Sequence, residues 1–202
     1  MNKDIKESRD IPLSAYDRLA GAMRANQAAA DIFDEALSQF LGINRTDGRC
    51  VDIIDRFGRI TAGQLATESG LTTGAVTVVI DRLENAGYVQ RSRDGDDRRK
   101  VWIETTDATK AIVERIFGHY ETLGPQMLAN FEPDQVAAIV RFLEAGALVQ
   151  RHMADILKQH IDPRGNDLKH RLIQARAFER AALSSADELV EAVEGLPGLS
   201  GE

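Results

Sequence analysis

Residues 60–89 read "ITAGQLATESGLTTGAVTVVIDRLENAGYV" and hold two helical runs split at Ser69-Gly70-Leu71. Leu65 and Ala66 mark the apolar face of the first run. Val76, Val79, Ile80 and Leu83 recur at i, i+3, i+4 and i+7 in the second, the period of a half-buried helix. Thr61 and Thr72 stand where an N-cap is needed, since a hydroxyl there can accept from an amide of the first turn that has no partner within the helix. Gly87 suits the position just after a last turn. Two short helices joined by a glycine-containing turn are the layout of a helix-turn-helix.

Working outward, the period changes after Gly87. Residues 88–92, "YVQRS", and 100–105, "KVWIET", are short β-prone runs around a turn that contains Gly and Asp, which predicts a hairpin. The turn is strongly charged: residues 91–101, "RSRDGDDRRKV", carry five basic and three acidic side chains.

Upstream, residues 11–42 place Leu13, Tyr16, Leu19 or Ala20, Met23, Ala30, Phe33, Leu37 and Phe40 near helical spacing, with Gly42 as the stop. A shorter helix follows in "TDGRCVDIIDRFG" (46–58), with Thr46 as the expected N-cap, Gly58 as the terminator, and Cys50, Ile53, Ile54 and Phe57 on its apolar face. Downstream, Ile112, Val113, Ile116, Tyr120, Leu123, Met127 and Leu128 predict one long helix kinked at Gly124-Pro125. Another is expected from Pro133, with Val136, Ile139, Val140, Leu143, Ala147 and Ile156 facing inward. "DPRGN" (162–166) breaks the pattern, and residues 167–196 offer one or two more helices.

The order helix, helix, helix-turn-helix, hairpin, helix, helix describes a mainly α winged helix-turn-helix with a β-hairpin wing and long N- and C-terminal dimerisation helices. The expected parts are an N-terminal dimerisation helix (1–43), a winged helix-turn-helix DNA-binding lobe (44–105), C-terminal dimerisation helices (106–161) and a helical extension of unassigned role (162–202). Long terminal helices with apolar stripes left uncovered in one subunit would bury them in a two-fold interface.

The composition, 43% apolar and 28% charged over 202 residues, is that of a globular chain with enough length to bury a core. The formal net charge of −7 argues against a nucleic-acid partner until its location is considered. Residues 42–105 hold ten Lys/Arg and ten Asp/Glu, so the acidic excess lies wholly outside the middle segment. With one cysteine, Cys50, no intramolecular disulfide forms, and a cytoplasmic protein without membrane contact is expected. Cys50 lies on an apolar helix face and reads as a core cysteine rather than a redox sensor. His119, His152, His160 and His170 match no zinc spacing, so no metal is expected. Nucleophile-elbow, Walker A and dinucleotide motifs are missing, which argues against an enzyme, and no cofactor is implied. Tyr16, Met23, Phe33, Phe40, Phe57 and Phe117 could line a ligand pocket, although core packing is the simpler account of each.

"LTTGAVTVVIDRLENAGYVQR" followed by "RDGDDRRKVWIETTDA" resembles the recognition helix and wing of MarR-type transcriptional regulators, with its D-R-L-E, its G-[LY]-V and a wing D-x-R before a β-strand. The match is strong over 60–111, looser over 12–161, and does not cover the tail. It implies a homodimeric regulator of double-stranded DNA, often a repressor released by a small-molecule effector. On this chain Asp97 and Arg99 match the wing D-x-R, Arg99 lying in or beside the minor groove and Asp97 bracing the wing. Thr72, Thr73, Gly74, Thr77 and Val78 fall at the groove-facing start and exposed face of the recognition helix. Arg91, Arg93, Arg98 and Lys100 complete the candidate DNA-binding set. One departure is visible, Thr109 where the family has a glycine after the wing.

The recognition face lacks Arg, Lys, Asn or Gln of the kind that reads a base through two hydrogen bonds, so much of the specificity is expected from the wing and from DNA shape. Arg82 is left between a phosphate contact and an intramolecular pair with Asp81, Glu84 or the wing. The competing function is a winged-helix protein-interaction module whose basic wing meets an acidic partner without specific DNA binding.

Overall fold

The computed structural model describes residues 12–93, 100–162 and 167–196. The chain forms two units, residues 1–119 and 120–202. Unit one contains α1 (Leu13–Leu41), α2 (Arg45–Phe57), β1 (Arg59–Ile60), α3 (Ala62–Ser69), α4 (Thr73–Asn85), β2 (Val89–Arg93), β3 (Val101–Thr105) and α5 (Asp107–Phe117). Unit two contains α6 (Tyr120–Leu128), α7 (Pro133–Gln159), α8 (Leu168–Ser184) and α9 (Ala186–Glu194). Among the described residues no helix is long and apolar enough to cross a membrane.

The helix-turn-helix is α3 and α4. Thr61 caps α3 in a capping box with Gln64, and Thr72 caps α4 by accepting from the Ala75 amide at 3.3 Å. Between them Gly70 takes φ +69°, a left-handed conformation that other residues adopt at a cost. α2 starts two residues earlier than Thr46 predicts: Asn44 is the N-cap, its side chain accepting from the Asp47 amide at 2.9 Å, and Thr46 lies inside the helix. A side-chain amide oxygen serves this role as well as a hydroxyl does, and both types stand in the same short stretch.

The wing is a three-stranded antiparallel sheet in the order β1-β3-β2, with Ile60 opposite Ile103 and Ser92 opposite Trp102. The hairpin follows the sequence pattern. β1 does not, because two residues show no alternation, and only pairing with β3 makes Arg59–Ile60 a strand. Burial alternates along the wing: Val89 and Ile103 are buried on the face that carries Arg91, while Gln90 and Trp102 belong to the other.

Cys50, Val51, Ile53, Ile54, Ile60, Leu65, Val76, Val79, Ile80, Leu83, Val89 and Ile103 form one buried cluster under these elements. Phe57 is 45% exposed and lies outside it, contrary to the sequence expectation, because it is the last residue of α2 and Gly58 turns the chain away at φ +69°. The core-packing account also fails for Tyr16 and Phe40, which are exposed on α1, whereas Phe33 meets Phe117 edge to face at 5.9 Å.

Thr109, the departure noted after the wing, is buried and donates its hydroxyl to the Tyr88 carbonyl at 2.7 Å. Thr106 caps α5 and donates to the Gly87 carbonyl at 2.8 Å, so two threonines tie α5 to the residues before β2. The Tyr88 hydroxyl in turn donates to the Leu41 carbonyl at 2.5 Å.

The single helix expected across Ile112–Leu128 is broken, and at Gly118 rather than at Gly124-Pro125. The Gly118 amide closes on the Glu114 carbonyl at 2.7 Å, where an added Cβ would lie 2.5 Å from that oxygen. Pro125 sits inside α6. In unit two only Ile156, among the described residues, is a buried hydrophobic. Val136 and Ala147 of α7 are half-buried, and Ile139, Val140 and Leu143 are exposed, so the inward stripe expected there is only partly covered among the described residues. Polar ties hold the rest: His152 Nε2 bonds Ser185 Oγ at 2.9 Å, and Gln174 donates to the Asp162 carbonyl at 3.2 Å. The tail, which its sequence left at one or two helices, forms two, α8 and α9.

Leu65 is wholly buried. Leu65→Ala should cost about 2–5 kcal/mol of unfolding free energy from lost burial and the cavity left behind, read as a lower denaturation midpoint.

Candidate nucleic-acid interface

The second helix of the pair presents one buried and one exposed side. Val76, Val79, Ile80 and Leu83 are fixed in the core, which turns Thr73, Gly74, Thr77 and Val78 outward, with Thr72 at the cap also exposed. No carboxylate stands in the first turn of α4, so the partial positive charge of its unsatisfied amides is not offset there. The Thr77 hydroxyl donates to the Thr73 carbonyl at 3.1 Å, which leaves its oxygen lone pairs and methyl group for an outside partner. Val78 is 58% exposed, a branched apolar surface of the kind that meets a thymine methyl.

The basic residues divide into two groups. Arg82 is paired within the protein although its side chain stays partly exposed: its Nε donates to Asp47 Oδ2 at 2.6 Å, and its Nη2 makes a second short bond to Oδ1. Asp47 is 1% exposed and also accepts from Asn44 Nδ2 at 3.0 Å. The intramolecular alternative for Arg82 is therefore the one adopted, with a partner the sequence reading did not name. Arg91 is likewise paired. Its Nη2 donates to Asp81 at 2.5 Å and its Nη1 bonds Glu84, both on the later part of α4. Hydrogen bonding to Asp47 and to Asp81, respectively, is the main cause that raises the pKa of Arg82 and of Arg91 further above the ordinary guanidinium value.

Arg93 and Lys100 are exposed at the ends of β2 and before β3. Lys100 Nζ lies 4.1 Å from the centroid of the Trp102 ring. Asp97, Arg98 and Arg99 lie outside the described residues. Arg59 was missed by the sequence reading: its guanidinium carbon stands 4.7 Å from the same Trp102 centroid. Its signal in the sequence is only a basic residue beside a two-residue strand, too short to assign to a face.

Cys50 is fully buried, and burial is the main cause that pushes its thiol above the ordinary range. At neutral pH it is a protonated thiol in an apolar setting, chemically inert. Among the described residues no group of His, Cys, Asp and Glu is placed to hold a metal.

The model of the MarR family matches residues 43–101, from the turn before α2 to the start of β3. The HTH-type transcriptional regulator YcgE of Bacillus subtilis is 34% identical over 128 residues, covering 63% of this chain and 83% of its own. The HTH-type transcriptional repressor YetL, also of Bacillus subtilis, is 31% identical over 94 residues, 46% of this chain and 54% of its own. A crystal structure of Streptococcus pneumoniae FabT in complex with DNA superposes with a TM-score of 0.51 at 22% identity, covering 64% of this chain and 92% of that one, and shows a common fold.

Two outcomes check the site's internal chemistry. Arg82→Gln and Asp47→Asn should each lower the melting temperature, and the double variant should lose less than the two losses added, since each single change strands a polar partner. A double variant that loses the full combined amount would show the pair to be uncoupled. For Cys50, a thiol raised in the folded state keeps its stabilising effect below the unfolded thiol's pKa and loses it as pH rises through the folded one. The stability difference between the wild type and Cys50→Ala should therefore shrink from pH 7 to about pH 9.5, starting near the ordinary thiol value of about 8.5.

Proposed function

We propose, from the premise that this chain belongs to the MarR family of DNA-binding transcriptional regulators, that it is a homodimeric repressor on a pseudo-palindromic operator, released by a small-molecule effector. The observation that carries the DNA-contact assignment is the start of α4: a capped, acid-free helix terminus with Thr73, Gly74, Thr77 and Val78 exposed on one side. A helix of this kind enters a major groove by its first turns. Thr72 holds the terminus, Thr73 and Thr77 meet phosphates or bases, Gly74 permits close approach, and Val78 packs on thymine methyls.

On the wing, Arg93 and Lys100 supply positive charge beside the duplex, and Arg99 with Arg98 and Asp97 is assigned by the resemblance of the D-x-R motif. Arg91 moves from contact to support. Its charge is met by Asp81 and Glu84, so it holds the wing strand against α4 and masks two carboxylates that would repel phosphate.

Support for the dimer comes from the apolar side chains that a single chain leaves exposed, Leu13 and Tyr16 on α1 and Ile139, Val140 and Leu143 on α7. The domain division is retained in the same sense, with 1–43 and 106–161 as dimerisation segments, 44–105 as the DNA-binding lobe and 162–202 as a helical extension. The repressor direction is supported by the relative YetL. Release follows from population shift: an effector that binds a DNA-incompatible separation of the two lobes better than the compatible one weakens operator binding by that difference.

Selection from a random duplex pool tests the reading. Wild type should recover an inverted repeat, bound roughly 10³-fold or more tighter than random duplex, with affinity falling steeply as salt rises. Thr73→Ala should relax preference at one position of each half-site, and Arg99→Ala should weaken binding to every sequence. A pool that yields no enriched motif, with weak salt-sensitive retention only, would sink the operator reading and favour an acidic protein partner for the wing.

A further inference from the structure

Trp102 is the only tryptophan of the chain, and it lies on the face of the wing sheet opposite the buried Ile103. Two cations from different elements converge on it. Arg59, on β1, holds its guanidinium carbon 4.7 Å from the ring centroid, and Lys100, at the entry to β3, holds its ammonium at 4.1 Å. Each contact is within cation–π range, and exposed contacts of this type are weak. Bringing two like charges to one ring also costs Coulomb energy, which an anion between or beside them would remove.

Arg59 stands directly opposite Glu104, the partner that sheet geometry offers it. Glu104 instead accepts from Gln90 Nε2 at 3.1 Å, and Arg59 turns to the indole. Among the described residues neither Arg59 nor Lys100 forms an ion pair with a carboxylate, whereas Arg45, Arg82 and Arg91 all do. In a chain of net charge −7 this is, among the described residues, a pair of cations without an ion-pair partner, gathered on an aromatic ring of the wing sheet.

We propose that Arg59 and Lys100, gathered on Trp102, form a phosphate-binding patch on the outer face of the wing sheet that engages the backbone of duplex DNA flanking the sequence read by α4. The inference rests on the operator reading above and adds Arg59 to the DNA-contacting residues. Its occupant is a run of phosphodiesters, since two cations on one ring fit sequence-independent charge and carry no base-edge code.

The test uses the full-length protein and the selected duplex in two lengths, the bare inverted repeat and the same repeat with about one helical turn added on each side. Arg59→Ala should weaken binding to the long duplex roughly three- to tenfold and reduce the slope of log affinity against log salt by about one, with little change on the short duplex. Arg59→Lys should restore most of the loss. Trp102 emission should change when wild type meets the long duplex and much less with the short one. A purely structural cation–π role would lower the melting temperature of Arg59→Ala while leaving the salt slope untouched, and that result overturns the proposal. Equal loss on both duplex lengths overturns the flanking assignment. If wild type selects no duplex at all, the operator reading falls first, and binding of the Trp102 patch to an acidic peptide instead would overturn the phosphate assignment with it.

Discussion

The buried carboxylate of Asp47 sets the position of the recognition helix. It is almost without solvent, and it is held from α2 by Asn44 and from α4 by two bonds of Arg82. An unpaired charge in that setting is costly, so the arrangement is tolerated only where α4 brings Arg82 to the start of α2. The pair therefore acts as an angular constraint on an otherwise apolar contact in which Val76, Val79, Ile80 and Leu83 could accept small slides and rotations. Asp47 also sits in the first turn of α2, where a carboxylate meets the positive end of the helix, so one side chain serves both the helix and its partner.

The same logic explains how an acidic chain can carry a surface for an anionic polymer. Positive charge near the middle segment is sorted by partner. Arg82 and Arg91 neutralise carboxylates and hold elements together. Arg93, Lys100 and Arg59 meet no carboxylate among the described residues. Net charge counts all of them alike, while the field at a surface depends on which cations remain uncompensated and where they stand. Arg91 shows the difference best: in sequence it belongs to the basic run, and in the fold it is a support beneath it.

Unit two follows another pattern. α7 is long, capped by Glu132 and started at Pro133, yet of its apolar positions only Ile156 is buried. Helices of this length gain most of their stability from packing an apolar face, and here Ile139, Val140 and Leu143 of that face remain exposed among the described residues. The periodicity was legible in the sequence, but the direction of the stripe was not, because a repeat of 3.6 residues says that a face is apolar and is silent on which surface covers it. Likewise the helix break fell at Gly118 and not at Pro125, which sits inside α6, so the proline that a spacing rule marks as the weak point is not where the helix ends.

What the sequence by itself determined is the part of the structure governed by interactions three or four residues apart. Thr61 and Thr72 as caps, the apolar set of α4, Gly42 and Gly87 at helix ends, and the β-prone runs of the hairpin were all readable, because capping and periodicity act within one turn. The family motif lay on the same local elements. Only the tertiary structure decided the partners of the charged side chains: Arg82 with Asp47 across 35 positions, Arg91 with Asp81 across 10, and Arg59 turned from Glu104 to Trp102. β1 belongs with these, a strand that exists only by pairing with β3. A charge finds its partner through distance and burial after the chain has folded, and neither quantity is written in the spacing of the residues.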